Sequence, residues 1–454
     1  MKNAGRRKKY PMFLAAICMV AGFLSPIKAK AAETWPDPPG INARTGILIE
    51  ASTGSILYEK DAQKEMYPAS TTKILTALLA IENTDMTDEI TISEQAVYSI
   101  GSDASNIAMV PGEIISMEDA IYAVLLPSAN EVSYAVAEYI GKGDVDDFVD
   151  MMNARAEELG CVSSHFSNPH GLHDSDHYTC AYDIALIMKK CIEYPEFVRI
   201  SNNSYHTIPA TNKKEERNVA QTHKILRKRI ECEGVFAGKT GFTDEAGRCL
   251  VTAAERNGMT LICVVLGDPT EDDSYNDTIR LLDYGFASFE KVRATAGKEG
   301  INAFPYLFDD SEAFPIPVSG RLSITESTLV LPKGASIADV TLDSKLWQLP
   351  ELKKGENLIG ESLFYYGGRL VGRADIMYDS EADTIIDLAE VYLREYGNTD
   401  EFEEKTYLIY AGLYEEEEVK KPDARPALIG YGIGTLVSLV LTIFLIRIYL
   451  ITRR

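Results

Sequence analysis

Three short patterns in the 454-residue chain combine residue types suited to acyl transfer: Ser70-Thr71-Thr72-Lys73, Ser128-Ala129-Asn130 and Lys239-Thr240-Gly241. A serine hydroxyl is a poor nucleophile until a base takes its proton. Lys73, one helical turn after Ser70, can be that base only when neutral, so burial or a nearby cation must depress its pKa. Lys239 could be that cation. A helix beginning at Ser70 would also aim free N–H groups and a partial positive charge at a developing oxyanion. Ser128 could relay a proton to a leaving group, and Asn130 could bond a substrate's backbone. Lys239 and Thr240 could hold an anionic carboxylate, while Gly241 lets a substrate backbone lie alongside its strand.

Each pattern also has a plain structural reading. Ser70 could be a helix N-cap with Lys73 in solvent, Ser128 and Asn130 could cap the next helix, and Lys239–Gly241 could be a surface turn. The patterns are not rare either. Ser-x-x-Lys recurs at Ser25–Lys28 and Ser288–Lys291, and Ser-x-Asn at Ser201–Asn203 and Ser274–Asn276. What points to chemistry is the three together, each in the setting its role needs.

The elements that must hold them can be read from periodicity. Gly46–Glu50 and Ser55–Lys60 flank Ser52-Thr53-Gly54 as a β-hairpin. Thr71–Ile81 has apolar residues at helical spacing, and Met117–Leu126, Asn130–Ile140, Val145–Leu159 and Ala181–Ile192 continue a helix-rich stretch. Gly234–Gly241, Arg248–Glu255 and Met259–Gly267 read as strands, the last two joined by the Arg256-Asn257-Gly258 turn, and Thr278–Phe289 as a closing helix. Helices between an N-terminal hairpin and C-terminal strands imply one α+β domain, over 40–292, with an antiparallel sheet packed against helices. Residues 300–380 alternate β-formers with Gly, Pro and Asp, as in a small all-β domain. Residues 382–397 read as a helix, and 381–426 as an acidic stalk.

Longer segments around the three patterns resemble one family. Tyr67-Pro68-Ala69-Ser70-Thr71-Thr72-Lys73, Leu126-Pro127-Ser128-Ala129-Asn130-Glu131, Phe166-Ser167-Asn168-Pro169-His170-Gly171-Leu172 and Gly238-Lys239-Thr240-Gly241-Phe242-Thr243 look like D-alanyl-D-alanine carboxypeptidases. These are the low-molecular-mass penicillin-binding proteins of bacteria, related to the serine β-lactamases. The resemblance implies the β-lactamase/transpeptidase-like fold. It implies that Ser70 attacks the carbonyl between the two terminal D-alanines of a peptidoglycan stem peptide, with Lys73 as base and Ser128 as proton shuttle. Asn130, Lys239 and Thr240 would bind substrate, and the backbone N–H groups of Ser70 and Phe242 would form the oxyanion hole. β-Lactam antibiotics would acylate the same serine, and no cofactor or metal is implied. Glu131 stands where the family more often has Asp. A β-lactamase and a non-catalytic wall-binding or sensing protein are the rival functions; the first lacks a Glu-x-x-x-Asn deacylation pattern here, and the intact polar set counts against the second.

His170, His173, His177 and Cys180 have spacing compatible with a metal site. Gly171 and the Asp-rich setting place them on a loop, and the run overlaps the family's Asn-Pro-His-Gly-Leu segment, so no zinc is expected.

The formal charge of −23 conceals an uneven distribution. Residues 1–31 carry seven bases and no acid, and 427–454 three arginines and no acid, which leaves −33 on residues 32–426. Such a surface repels nucleic acid and excludes it as a partner. Arg6–Lys9, the apolar Met12–Leu24 and Ala29-Lys30-Ala31 form a signal peptide over 1–31. Ala427–Ile446 holds 20 uncharged residues, enough to span ~30 Å of hydrocarbon. The arginines of the 447–454 tail then lie in the cytoplasm. The expectation is a single-pass protein of a bacterial plasma membrane with its catalytic domain outside. Six cysteines remain beyond the signal, and Cys249 and Cys263 read as small buried hydrophobes rather than disulfide partners.

Overall fold

The computed structural model describes residues 35–101, 104–294, 320–346 and 354–380. The predicted signal (1–31), stalk (381–426) with its helix at 382–397, apolar span (427–446) and tail (447–454) lie outside the described residues. Among the described residues no helix is long and apolar enough to cross a membrane.

The predicted hairpin is present as β1 (Thr45–Glu50) and β2 (Ile56–Lys60). A 3₁₀ turn over Ala69–Thr72 leads directly into α1 (Lys73–Asn83). Short strands β3 (Glu89–Thr91) and β4 (Ile114–Ser116) pair on either side of α2 (Glu94–Tyr98). Then follow α3 (Met117–Leu125), α4 (Asn130–Ile140), α5 (Val145–Glu158), α6 (Ala181–Cys191) and α7 (Pro195–Ser201). A second small hairpin, β5 (Tyr205–Ile208) and β6 (Arg217–Ala220), precedes β7 (Val235–Thr243), β8 (Gly247–Arg256) and β9 (Met259–Asp268). Helix α8 (Glu271–Ser288) closes this part of the chain.

The main sheet runs β2-β1-β9-β8-β7 with every neighbouring pair antiparallel. Alternation along β9 sends Ile262, Val264 and Leu266 into the core beneath α1, α3, α4 and α6, and Leu261, Cys263 and Val265 into a second core against α8. The turn joining β8 to β9 has Asn257 at φ 52° and Gly258 at φ 75°, the left-handed pair that an Asn-Gly hairpin supplies. Helix α1 buries eight consecutive residues, Lys73 to Ala80. A helix apolar on all sides belongs in an interior, and this one carries its lysine there with it. Strand β7 is left at the sheet edge, beside the start of α1.

Helix α8 starts seven residues before the predicted Thr278. Thr270 Oγ1 accepts the Asp273 N–H at 3.1 Å, and Glu271, Asp272 and Asp273 fill the first turn, where carboxylates oppose the helix dipole. That capping signal was legible in Thr270–Asp273 but is overshadowed by the weak apolar spacing that follows. The six cysteines among the described residues are free thiols. Beyond the main sheet, β10 (Phe289–Ala294) pairs with β12 (Ser327–Pro332), while β11 (Gly320–Ile324), β13 (Thr341–Leu346), β14 (Gly355–Tyr366) and β15 (Arg369–Ser380) make a four-stranded sheet. The chain divides into two compact units, and 324–345 and 360–376 fall with the unit that holds the three motifs.

Gly285 marks where α8 meets the sheet most tightly. A Cβ there would lie 2.5 Å from Leu261 Cδ1 and 2.7 Å from Leu48 Cδ2. Alanine normally favours a helix over glycine by ~1 kcal/mol, but a larger side chain here overpacks the core. Gly285→Leu is expected to cost about 1–3 kcal/mol, read as a lower urea midpoint at unchanged slope. An unchanged midpoint would refute the tight contact.

Candidate active site

Ser70 does not cap a helix. It is the second residue of the 3₁₀ turn, whose start has no side-chain cap, and Lys73 is fully buried rather than in solvent. Lys73 Nζ lies 3.0 Å from Ser70 Oγ, 2.6 Å from Asn130 Oδ1 and 2.6 Å from the His170 carbonyl oxygen. Burial pushes the Lys73 pKa well below the usual lysine range, the nearby Lys239 charge adds to this, and Glu131 opposes it. A neutral amine has two N–H donors and one lone pair. The Asn130 and His170 oxygens can only accept and take both hydrogens, so the lone pair is left facing Ser70 Oγ–H.

The second motif is built by backbone strain. Ser128 sits at φ 68°, a costly conformation for a residue with a Cβ. Helix α4 is capped by Ala129 without any side-chain bond, so neither Ser128 nor Asn130 serves as the cap that a structural reading assigns them. Ser128 Oγ instead accepts from Lys239 Nζ at 2.9 Å. With that lone pair engaged, the Ser128 hydrogen is free to be donated elsewhere. Asn130 and Glu131 are both nearly inaccessible, and the Glu131 carboxylate accepts the Ile107 N–H at 2.7 Å. Burial raises the Glu131 pKa.

Lys239 reaches Ser128 from β7 and also donates to the Thr240 carbonyl at 2.9 Å. It has no exposed surface, and burial pushes its pKa down to about 7. The Thr240 hydroxyl is 2.8 Å from that of Thr222, and Phe242 is half exposed beneath the Arg248 guanidinium, 3.8 Å above its ring. Gly241 is where β7 passes the nucleophile: a Cβ would sit 3.1 Å from Ser70 N and 2.9 Å from the Pro68 oxygen. The three motifs therefore converge on one site.

Sequence reasoning missed the His170 carbonyl and Thr222. Any residue offers a carbonyl, so no sequence signal marks the first. Thr222 belongs to no motif, yet with Pro127, Asn106, Ile107 and Arg217 it lines a cavity of about 350 Å³ beside the Lys239–Thr240 end. The four metal-type donors are engaged separately. His170 Nδ1 accepts the Leu172 N–H, His173 packs edge-on against Tyr67, His177 bonds Thr72, and Cys180 Sγ accepts the Asp183 N–H as a helix cap. Among the described residues no group of three or more His, Cys, Asp or Glu could hold a metal ion.

A partly exposed serine beside a buried lysine, at the edge strand of a helix-backed antiparallel sheet, defines the acyl-transfer class of penicillin-binding enzymes. The chain belongs to the D-alanyl-D-alanine carboxypeptidase family, whose model matches residues 32–270, and membership makes it a serine peptidase. It is 34% identical over 253 residues to D-alanyl-D-alanine carboxypeptidase DacF of Bacillus subtilis, across 55% of this chain and 63% of that one. It is 30% identical to D-alanyl-D-alanine carboxypeptidase DacA of Haemophilus influenzae, across 80% and 91%. The solved penicillin-binding protein 5 from Haemophilus influenzae is similar at a TM-score of 0.62 and 28% identity, covering 77% of this chain and all of that one.

The depressed lysine has a consequence for stability. Unfolded, Lys239 keeps its proton up to the ordinary lysine value of 10.5; folded, it releases it near 7. Between those values the unfolded state binds more protons, so stability rises with pH through that window. Relative to Lys239→Met, the native protein should gain about 1–2 kcal/mol between pH 7 and 8.5, measured by urea unfolding at each pH. Parallel stability curves for the two proteins would contradict a depressed Lys239.

Proposed function

We propose that this protein is a serine D-Ala-D-Ala carboxypeptidase that removes the terminal D-alanine from peptidoglycan stem peptides through an acyl-enzyme on Ser70. One observation carries the reading: the buried Lys73 Nζ lies within hydrogen-bond distance of Ser70 Oγ, Asn130 Oδ1 and the His170 carbonyl oxygen, so its neutral amine would give both hydrogens to the two oxygens and its lone pair to Ser70. Ser70 Oγ attacks the carbonyl carbon of the penultimate residue while Lys73 takes its proton. The oxyanion forms between the N–H groups of Ser70 and Phe242, where each donor contributes ~3–4 kcal/mol in comparable hydrolases. Asn130 also holds the substrate backbone, and Lys239 with Thr240 holds the terminal carboxylate. Ser128 donates its hydrogen to the leaving amine as the C–N bond breaks, and the proton on Lys73 replenishes it. Water then hydrolyses the ester and releases Ser70. A β-lactam ring presents the same carbonyl and carboxylate and acylates the same oxygen.

The edge position of β7 supports the substrate pose, because an unpaired edge accepts an extended peptide as an added strand. The signal at 1–31 and the apolar span at 427–446 fit a domain tethered to the outer face of the plasma membrane, followed by a small β-rich domain over 300–380. The purified protein should release D-Ala from diacetyl-Lys-D-Ala-D-Ala, and Ser70→Ala should abolish both this and covalent labelling by fluorescent penicillin. Absence of both in the native protein would sink the reading, and rapid penicillin turnover without D-Ala release would replace it with a β-lactamase. The full chain expressed in a bacterium should sediment with membranes and lose its ectodomain to external protease. A chain found wholly in the soluble fraction would refute the tether.

A further inference from the structure

The loop between α5 and α6 grips the nucleophile turn at more than one point. Besides the His170 carbonyl on Lys73, Thr76 Oγ1 donates to the Pro169 carbonyl at 2.6 Å. A third link runs through His177, which is 1% exposed. Its Nδ1 accepts the Ser167 N–H at 2.9 Å, and an amide N–H can only donate, so the ring hydrogen lies on Nε2. Nε2 is 2.8 Å from Thr72 Oγ1 and donates to it. Thr72 Oγ1 then donates its own hydrogen to the Ala69 carbonyl at 2.8 Å.

The end of this chain is what matters. The Ala69 carbonyl and the Ser70 N–H belong to one planar peptide group, so fixing one fixes the direction of the other. Ala69 adopts φ 48°, an unfavourable value that needs outside support. Gly171, itself at φ 81°, leaves room for that carbonyl: a Cβ there would lie 1.9 Å from the Ala69 oxygen. A bond accepted by an amide carbonyl also makes the N–H of the same amide a stronger donor, by ~10–30% per bond in such chains.

We propose that His177 and Thr72 are positioning residues for the oxyanion hole: the chain from Ser167 N–H through His177 and Thr72 to the Ala69 carbonyl orients and polarises the Ser70 N–H. This rests on the reading that Ser70 N–H is an oxyanion donor. Neither side chain touches substrate. Burial pushes the His177 pKa down to about 4, which keeps Nδ1 free to accept at neutral pH.

A role confined to anchoring the loop would lower stability and leave the acylation step alone; the proposed role slows acylation as well. Stopped-flow acylation by benzylpenicillin separates the non-covalent Kd from the acylation rate constant. Losing an oxyanion donor outright costs ~10²–10³ in rate, so a misdirected but present donor should cost about tenfold. Thr72→Val, which keeps the shape and removes the hydroxyl, should slow acylation about tenfold at unchanged Kd, whereas Thr72→Ser should stay within about threefold. Thr72→Val/His177→Phe should be no slower than the slower single variant, because either change already breaks the chain. Should His177→Phe fail to fold, the two Thr72 variants decide alone. Normal acylation by Thr72→Val, equal loss in Thr72→Ser, or multiplying losses in the double variant would each overturn the proposal. Failure of the native protein to acylate at all would instead overturn the proposed function.

Discussion

Two lysine side chains buried in one site set the terms for everything around them. An isolated ammonium in a protein interior is costly enough that the group gives up its proton or must find several acceptors. Burial pushes both lysines toward the neutral form, Lys239 to about 7, and at Lys73 the nearby Lys239 charge adds to that push. The pair therefore comes with a division of labour already made: one lysine that can accept a proton and one that can still carry charge near neutrality.

That arrangement explains why so much structure surrounds six polar residues. Lys73 needs acceptors from two directions, so α4 brings Asn130 and the loop before α6 brings the His170 carbonyl. Lys239 needs the Ser128 hydroxyl, which reaches it only because the chain turns through a left-handed conformation there. Asn168 shapes the supporting loop by accepting the Gly171 N–H at 2.7 Å. Helices with fully buried faces make these positions rigid, and the edge strand keeps one side of the site open.

Much of this was legible from residue order. The hairpin β1–β2, the helices α3 to α6, the strands β7 to β9 and the Asn257-Gly258 turn follow from hydrophobic period and turn chemistry, which are local properties. The three motifs were legible only as a set. The short elements α2, α7, β3–β4 and β5–β6 escaped because they are too brief for a period to emerge, and their pairing depends on what lies across from them. Helix α8 was placed late because its first turns are acidic rather than apolar. His170, His173, His177 and Cys180 engage separate partners despite their metal-like spacing, because sequence distance along a loop does not say which way each side chain faces.

By itself, then, the sequence determined the inventory: a nucleophile, two lysines, two hydroxyls and an amide, on elements whose types can be read from their own periodicity, in a family that their motifs mark. It could not decide protonation. Whether Lys73 is a solvated cation or a neutral base depends on water being excluded from it and on oxygens 57 and 97 residues away being aimed at it. It could not choose between Ser70 as a cap and Ser70 as a nucleophile, because both begin a helix. Only tertiary packing settles such questions, since desolvation and hydrogen-bond direction are properties of the space around an atom and not of the chain that carries it.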